Sequence, residues 1–312
     1  GFEYISNINN SLENGQKVSL NDEDIILLEP ATPLMSDQTE NENNYKFLKS
    51  EESNLILQLE VLNSFSLTKG TKIKIDQNGL MEGSLRNMKD GITYFGYFEN
   101  DNNNDNMVND KKEENDLDFL LPIKKCDNLG RFFKIQYIKK FNEYILNDLK
   151  KGFGTFVKIQ DSIYLRNKCL INIGSVYLAI IFCEKTSSDK LNKIDIHGFN
   201  CDLKIKVYNN NLKEYFFEKD KENDIKIGRI NYGNDIELED KLSSKINCMI
   251  RYNSIKGWMI KDGSDIILKN GEIMRNFSKN GTWILASDNI KITDKMIFKS
   301  NFNIFKCSLI QG

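Results

Sequence analysis

The stretch Met249-Ile250-Arg251-Tyr252-Asn253-Ser254-Ile255-Lys256-Gly257-Trp258-Met259-Ile260-Lys261 decides the fold class. Met249–Tyr252 and Trp258–Lys261 are short, rich in β-branched and aromatic residues, partly alternating, and separated by Asn and Gly punctuation. Short strands joined by turns are written this way. Working outward, the same signature recurs at Leu55–Val61, Lys72–Ile75, Phe132–Tyr137, Tyr144–Leu149, Phe156–Ile159, Val176–Phe182, Leu203–Tyr208, Tyr215–Glu218 and Trp283–Leu285, with no long amphipathic helix between. Short strands without helical crossovers argue for antiparallel sandwiches. The expected fold class is all-β: two antiparallel β-sandwiches in tandem, preceded by a polar N-terminal arm.

The chain of 312 residues has room for two domains of roughly 150 residues each. A boundary is expected in the polar stretch that starts at Glu184, between the apolar run ending at Cys183 and a new strand series near Leu203. The expected division is residues 1–53 as arm or linker, 54–184 as a first sandwich, 185–199 as linker and 200–312 as a second sandwich. Residues 99–114, which include Asn102-Asn103-Asn104, read as an exposed Asn-rich insertion in the first sandwich. Gly1 in place of Met reads as the start of a fragment.

With 43 basic and 45 acidic residues and a formal net charge of −2, no global field favours nucleic acid, and any anion site must be local. No run of roughly 18 apolar residues occurs, so no membrane insertion is expected. The start lacks the basic and apolar regions of a signal peptide, and the expected location is intracellular, cytoplasmic or nuclear. Cysteines 126, 169, 183, 201, 248 and 307 are dispersed without a C-x-x-C pair, which reads as buried free thiols; no metal site and no cofactor are expected. His197 is the single histidine, so nucleophilic chemistry lacks its usual base and no enzyme activity is expected.

Four stretches of the second half fall in a telling order: Gly228-Arg229, Asn234-Asp235-Ile236, Leu242-Ser243-Ser244-Lys245 and Ser278-Lys279-Asn280-Gly281-Thr282-Trp283. Alone, Asn280-Gly281 is a hairpin signal, Asn280-Gly281-Thr282 is formally a glycosylation acceptor, and Gly-Arg is a strand end with a solvated charge. In this order, over about residues 200–310, they resemble a forkhead-associated (FHA) domain, a β-sandwich that binds phosphothreonine peptides through loops at one end.

The resemblance implies Arg229 as the phosphate cation, since an arginine stays charged and offers a planar fork. It implies Ser244 as a hydroxyl donor, Lys245 as added charge, Lys279 as a group next to the phosphate, and Asn280 as the residue that holds the peptide main chain. Gly228, Asn247, Gly281 and Thr282 are expected as turn and loop residues. The family's usual His, which braces these loops from within, is Asn247 here, and the resemblance leaves open what does the bracing. Residues Gly263 to Phe277 lengthen the connection before Ser278. They read as a surface hairpin around Asn270-Gly271, or as an element that selects residues following the phosphothreonine.

The first half repeats the plan in degenerate form. Gly96-Tyr97 stands for Gly-Arg, Asn115-Asp116-Leu117 for the Asn-Asp-Ile step, Leu129-Gly130-Arg131-Phe132 for the serine block, and Gly152-Phe153-Gly154-Thr155-Phe156 for the Asn-Gly-Thr turn. With Tyr97 and Phe153 at the donor positions, this copy reads as a phosphate-independent spacer or docking module. Arg86 and Arg131 are the candidates there for a different anion site.

The expected function is non-catalytic recognition of a phosphothreonine-containing protein or peptide by the second half. The alternatives are a phosphate-independent interaction scaffold, or the regulatory arm of a larger kinase, phosphatase or ATPase. Thr32, before Pro33 in the polar arm, is a candidate ligand in cis or across a dimer.

Overall fold

The computed structural model describes residues 55–97, 117–121, 130–183, 198, 200–209, 211–219, 223–287 and 289–311. The first half supplies β1 (Leu55–Asn63), β2 (Lys72–Asp76), β3 (Gly79–Leu80), β4 (Ile92–Tyr97), β5 (Phe119–Leu120), β6 (Gly130–Ile138), β7 (Glu143–Asp148), β8 (Thr155–Lys158), β9 (Ile163–Tyr164), β10 (Leu170–Ile173) and β11 (Val176–Cys183). The second half supplies β12 (Asp202–Tyr208), β13 (Leu212–Phe217), β14 (Ile225–Arg229), β15 (Ile236–Leu238), β16 (Cys248–Asn253), β17 (Gly257–Asp262), β18 (Ser264–Ile267), β19 (Ile273–Asn276), β20 (Trp283–Leu285), β21 (Ile290–Lys291), β22 (Ile297–Ser300) and β23 (Asn303–Gln311). Among the described residues the protein is all-β, and its pairings are antiparallel except β4 with β5 and β14 with β15. No helix among them is long and apolar enough to cross a membrane.

One sheet of eleven strands runs through the molecule in the order β13-β12-β11-β10-β20-β8-β22-β23-β1-β2-β3. Two five-stranded sheets accompany it, β21-β7-β6-β4-β5 and β15-β14-β16-β17-β9. Phe133 of β6 meets Phe298 of β22 edge-on, with centroids 5.4 Å apart at 78°, and lies 6.3 Å from Phe305 of β23. Burial of such rings dominates the energy of a sandwich core. At the other end, Trp258 of β17 donates its indole N–H to the Cys201 carbonyl just before β12 (2.9 Å). The Tyr144 hydroxyl of β7 donates in the same way to the Leu55 carbonyl at the start of β1 (2.7 Å).

The strands do not sort by the expected boundary. Residues 184–197 and 199 lie outside the described residues, but β11 and β12 on either side pair from Tyr177↔Tyr208 to Cys183↔Asp202. The last strands of each half have changed places. β9 joins β17, and β10 and β11 join β20 and β12, so residues 163–183 complete the second half's sandwich. β21 joins β7, and β22 and β23 join β8 and β1, so residues 290–311 complete the first half's sandwich. The sandwiches are therefore not residues 54–184 and 200–312. A strand's backbone groups take whichever sheet edge can pair them, and sequence distance does not enter that choice.

The hairpin expected around Asn270-Gly271 is present, with β18 and β19 paired from Ser264↔Asn276 to Ile267↔Ile273 and Gly271 in the left-handed region at φ 83°. Of the cysteines expected as buried thiols, Cys201, Cys248 and Cys307 are buried, whereas Cys169 and Cys183 are half-buried. Cys126, His197, the arm with Thr32 and the Asn-rich segment 99–114 lie outside the described residues.

The exchange makes a testable statement. Phe298→Ala, near the C-terminus, is expected to cost about 3–5 kcal/mol. Hydrogen exchange should show protection falling in β6 of the first half more than in β16 of its own half; the reverse order would contradict the strand assignment.

Candidate functional site

The residues singled out in the second half meet around one loop, Lys241–Lys245, between β15 and β16. Arg229 ends β14, where its N–H donates to the Ser244 carbonyl (2.9 Å). Its side chain folds over the loop, with Nε and Nη2 donating to the Ser243 carbonyl (2.9 and 2.6 Å) and Nη2 also to Lys241 (3.2 Å). Its Nη1 has no partner among the described residues. Gly228 precedes it because a Cβ there would lie 2.2 Å from the Lys245 carbonyl oxygen. Gly96 has the same constraint against Gly130 O, also at 2.2 Å.

Two further segments reach the same loop. Asn280 Nδ2 donates to the Leu242 carbonyl (2.7 Å), which leaves its Oδ1 unpartnered among the described residues. The Lys279 backbone N–H donates to Ser244 Oγ (2.9 Å). That hydroxyl is thus oriented as an acceptor, and its own proton goes to no described group. Lys245, Lys279 and Asn280 are exposed, while Arg229 and Ser244 are half-buried. Lys245 Nζ lies 5.1 Å from the centre of the Tyr232 ring.

Asn247 answers the question of bracing. Buried completely, it accepts from the Ser244 N–H through Oδ1 (3.1 Å) and donates through Nδ2 to Thr282 Oγ1 (3.0 Å). The Thr282 hydroxyl passes its proton to buried Asp262 (2.7 Å), which also accepts from Ser278 Oγ (2.6 Å) and Ser278 N–H (3.1 Å). A chain of satisfied buried bonds therefore locks the serine loop to the asparagine loop. Gly281 turns the second loop at φ 81°.

Asn234, within the Asn234-Asp235-Ile236 step, and Asp240, outside every motif stretch, also hold the loop. Asn234 Nδ2 donates to both Arg229 O (2.9 Å) and Lys245 O (2.8 Å), tying the strand end to the loop. Asp240 is buried, and its carboxylate accepts from the Leu242 N–H (2.9 Å) and from the N–H of Ser175 in the β10–β11 turn (2.8 Å). Gly174 in that turn packs so tightly that a Cβ would sit 2.2 Å from Asp240 Oδ2. The turn belongs to the first half of the chain, so no spacing in the motif points to it.

In the first sandwich the matching places carry Tyr97 and Phe153, both half-buried. The Asn-Asp-Ile step is represented two residues later than expected, by Leu117-Asp118-Phe119. Phe119 pairs with Phe95 as Ile236 pairs with Ile227. Asp118 Oδ2 accepts from the Tyr94 N–H (2.9 Å) as Asp235 Oδ2 accepts from Lys226 (2.9 Å). Arg86 does not serve an anion site with Arg131: it ion-pairs with Asp90 (2.8 Å) and Asp118 (3.1 Å), with its side chain only 7% exposed. Arg131 lies 4.1 Å from the Tyr94 ring centre.

No family model matches the chain, and neither does any curated protein or solved structure.

Removing the Asn247 brace leaves the Ser244 N–H without its acceptor and takes away the amide that donates to Thr282 Oγ1, while the Thr282 hydroxyl keeps Asp262. Asn247→Ala is expected to cost about 1–3 kcal/mol in chemical denaturation; a change within about 0.5 kcal/mol would show that the two loops hold each other by other means.

Proposed function

We propose that the Arg229, Ser244 and Asn280 loops read phosphothreonine in an extended peptide, without catalysis, and that both sandwiches are of the forkhead-associated type. The observation that carries this reading is the convergence of three separate segments on Lys241–Lys245, with donors left over where they meet. A phosphate monoester brings nearly two negative charges and several strong acceptors. Arg229 Nη1 and the Ser244 hydroxyl proton supply two donors, and exposed Lys245 and Lys279 add positive charge. Asn280 Oδ1 accepts from a peptide N–H and keeps the ligand in register. Bonds to charged groups net about 1.5–3 kcal/mol each, so two or three reach micromolar affinity.

Arg229 has a double duty that explains its strand-end position. Two of its nitrogens fix the loop that presents Ser244, and the third faces the ligand. Tyr97 and Phe153 provide neither charge nor an amide, so the first sandwich acts as a phosphate-independent spacer or docking module. The exposed hairpin side chains Ile267 and Ile273, 75% and 71% accessible, favour an apolar contact with the partner beyond the phosphate.

The experiment is calorimetry of the chain with a phosphothreonine peptide library, and with the same peptides unphosphorylated or bearing phosphoserine. Binding is expected for phosphothreonine alone, with Arg229→Ala losing it and Lys72→Ala on β2 retaining it. Equal affinity for phosphorylated and unphosphorylated peptides would leave the scaffold reading in its place.

A further inference from the structure

A cavity of about 260 Å³ opens on the long sheet between β8, β10, β11 and β22. It lies on the face where Phe156 and Trp283 form a small second core, opposite Val157 and Ile284 of the main core. Two aromatic pairs line or border it. Phe153 and Phe302 meet edge-on at 5.4 Å and 73°, and Phe156 and Tyr177 lie 6.1 Å apart at 46°.

Lys299 enters this space as its one basic side chain. Its Nζ donates to Asn172 Oδ1 (2.6 Å) and sits 4.6 Å from the Trp283 ring centre and 5.5 Å from that of Phe156. No carboxylate among the described residues pairs with it. Aromatic faces and an amide oxygen stabilise an ammonium without neutralising it. Burial without a counter-charge accordingly pulls the Lys299 ammonium down to about 8.

A second donor on the wall is also unanswered. Asn301 accepts from the Phe153 N–H through Oδ1 (2.8 Å), which fixes the amide's orientation and leaves buried Nδ2 with no partner. The Lys299 ammonium, held by an amide oxygen and aromatic faces with no carboxylate among the described residues, makes the cavity suited to an oxygen anion. The small volume excludes a folded partner and admits one ring with a short acidic arm.

We propose that this cavity binds a small organic acid, with its carboxylate against Lys299 and its planar apolar ring between the Phe153–Phe302 and Phe156–Tyr177 pairs. None of Arg229, Ser244, Lys245, Lys279 and Asn280 lines the cavity, so different variants test the two sites. Asn172 and Lys299 hold the same place in the two halves, at Asn172-Ile173 before the β10–β11 turn and Lys299-Ser300 before the β22–β23 turn. They meet across the central strands, where two lysines would repel, so a single cation is what this near-symmetric position accommodates.

The test uses the whole chain and calorimetric titration at neutral pH with benzoate, phenylacetate and indole-3-acetate, each set against its neutral amide. At least one acid is expected to bind in the millimolar range or tighter, its amide about tenfold more weakly or worse. Lys299→Met is expected to remove acid binding, and Lys299→Arg to retain part of it. If no acid binds, if acid and amide bind alike, or if Lys299→Met binds the acid unchanged, the proposal is overturned. Should Lys299→Met fail to fold, the comparison of acid with amide on the unaltered chain decides the matter.

Discussion

Everything in this molecule hangs on the antiparallel pairing of β8 with β20. The register Lys158↔Trp283, Val157↔Ile284, Phe156↔Leu285 centres on Val157 and Ile284, which hold the same place in Thr155-Phe156-Val157 and Thr282-Trp283-Ile284. Each strand extends the long sheet of both sandwiches, so neither sandwich presents a free edge at the centre. Both faces of the pair are apolar. Val157 and Ile284 enter the main core, while Phe156 and Trp283 form the smaller cluster behind it. Two domains on a flexible linker move independently; here a continuous hydrogen-bonded sheet sets their relation.

That constraint reaches the candidate site through the exchanged strands. The β10–β11 turn comes from the first half, yet its Ser175 N–H and Gly174 backbone seat the Asp240 carboxylate that holds the Lys241–Lys245 loop of the second half. The first half of the chain therefore contributes a structural part to a loop of the second sandwich. It keeps the geometric devices of the plan: Gly96 beside Gly130, Asp118 on Tyr94, and Tyr144 on Leu55. It lacks the donors. Tyr97 and Phe153 stand there in the places of Arg229 and Asn280.

Much of this was legible in the sequence because it is local. Alternation marks β1, β12 and β17 without reference to any partner, since side chains on one face of a strand recur every second residue. The motif residues Arg229, Ser244 and Asn280 are separated along the chain, but each stands at a strand end or turn that its own neighbours announce. Asn270-Gly271 announces its hairpin in the same way. Readings that needed a partner fared differently. Asn115-Asp116 resembles Asn234-Asp235 by composition, yet the β4–β5 register selects Asp118, whose carboxylate accepts from the Tyr94 N–H. Arg86 looks like a loop cation until Asp90 and Asp118 are placed against it.

The sequence by itself determined the all-β class, most strand positions, and the residues gathered at Lys241–Lys245, since propensity, alternation and turn chemistry act over a few residues. Only the tertiary structure decided which strands complete which sandwich, that Asn247 braces the loops, and that Lys299 sits beside aromatic rings without a counter-charge among the described residues. Those facts depend on edges, cavities and charges brought together across more than a hundred residues of chain, and strand pairing and burial obey distance in space alone.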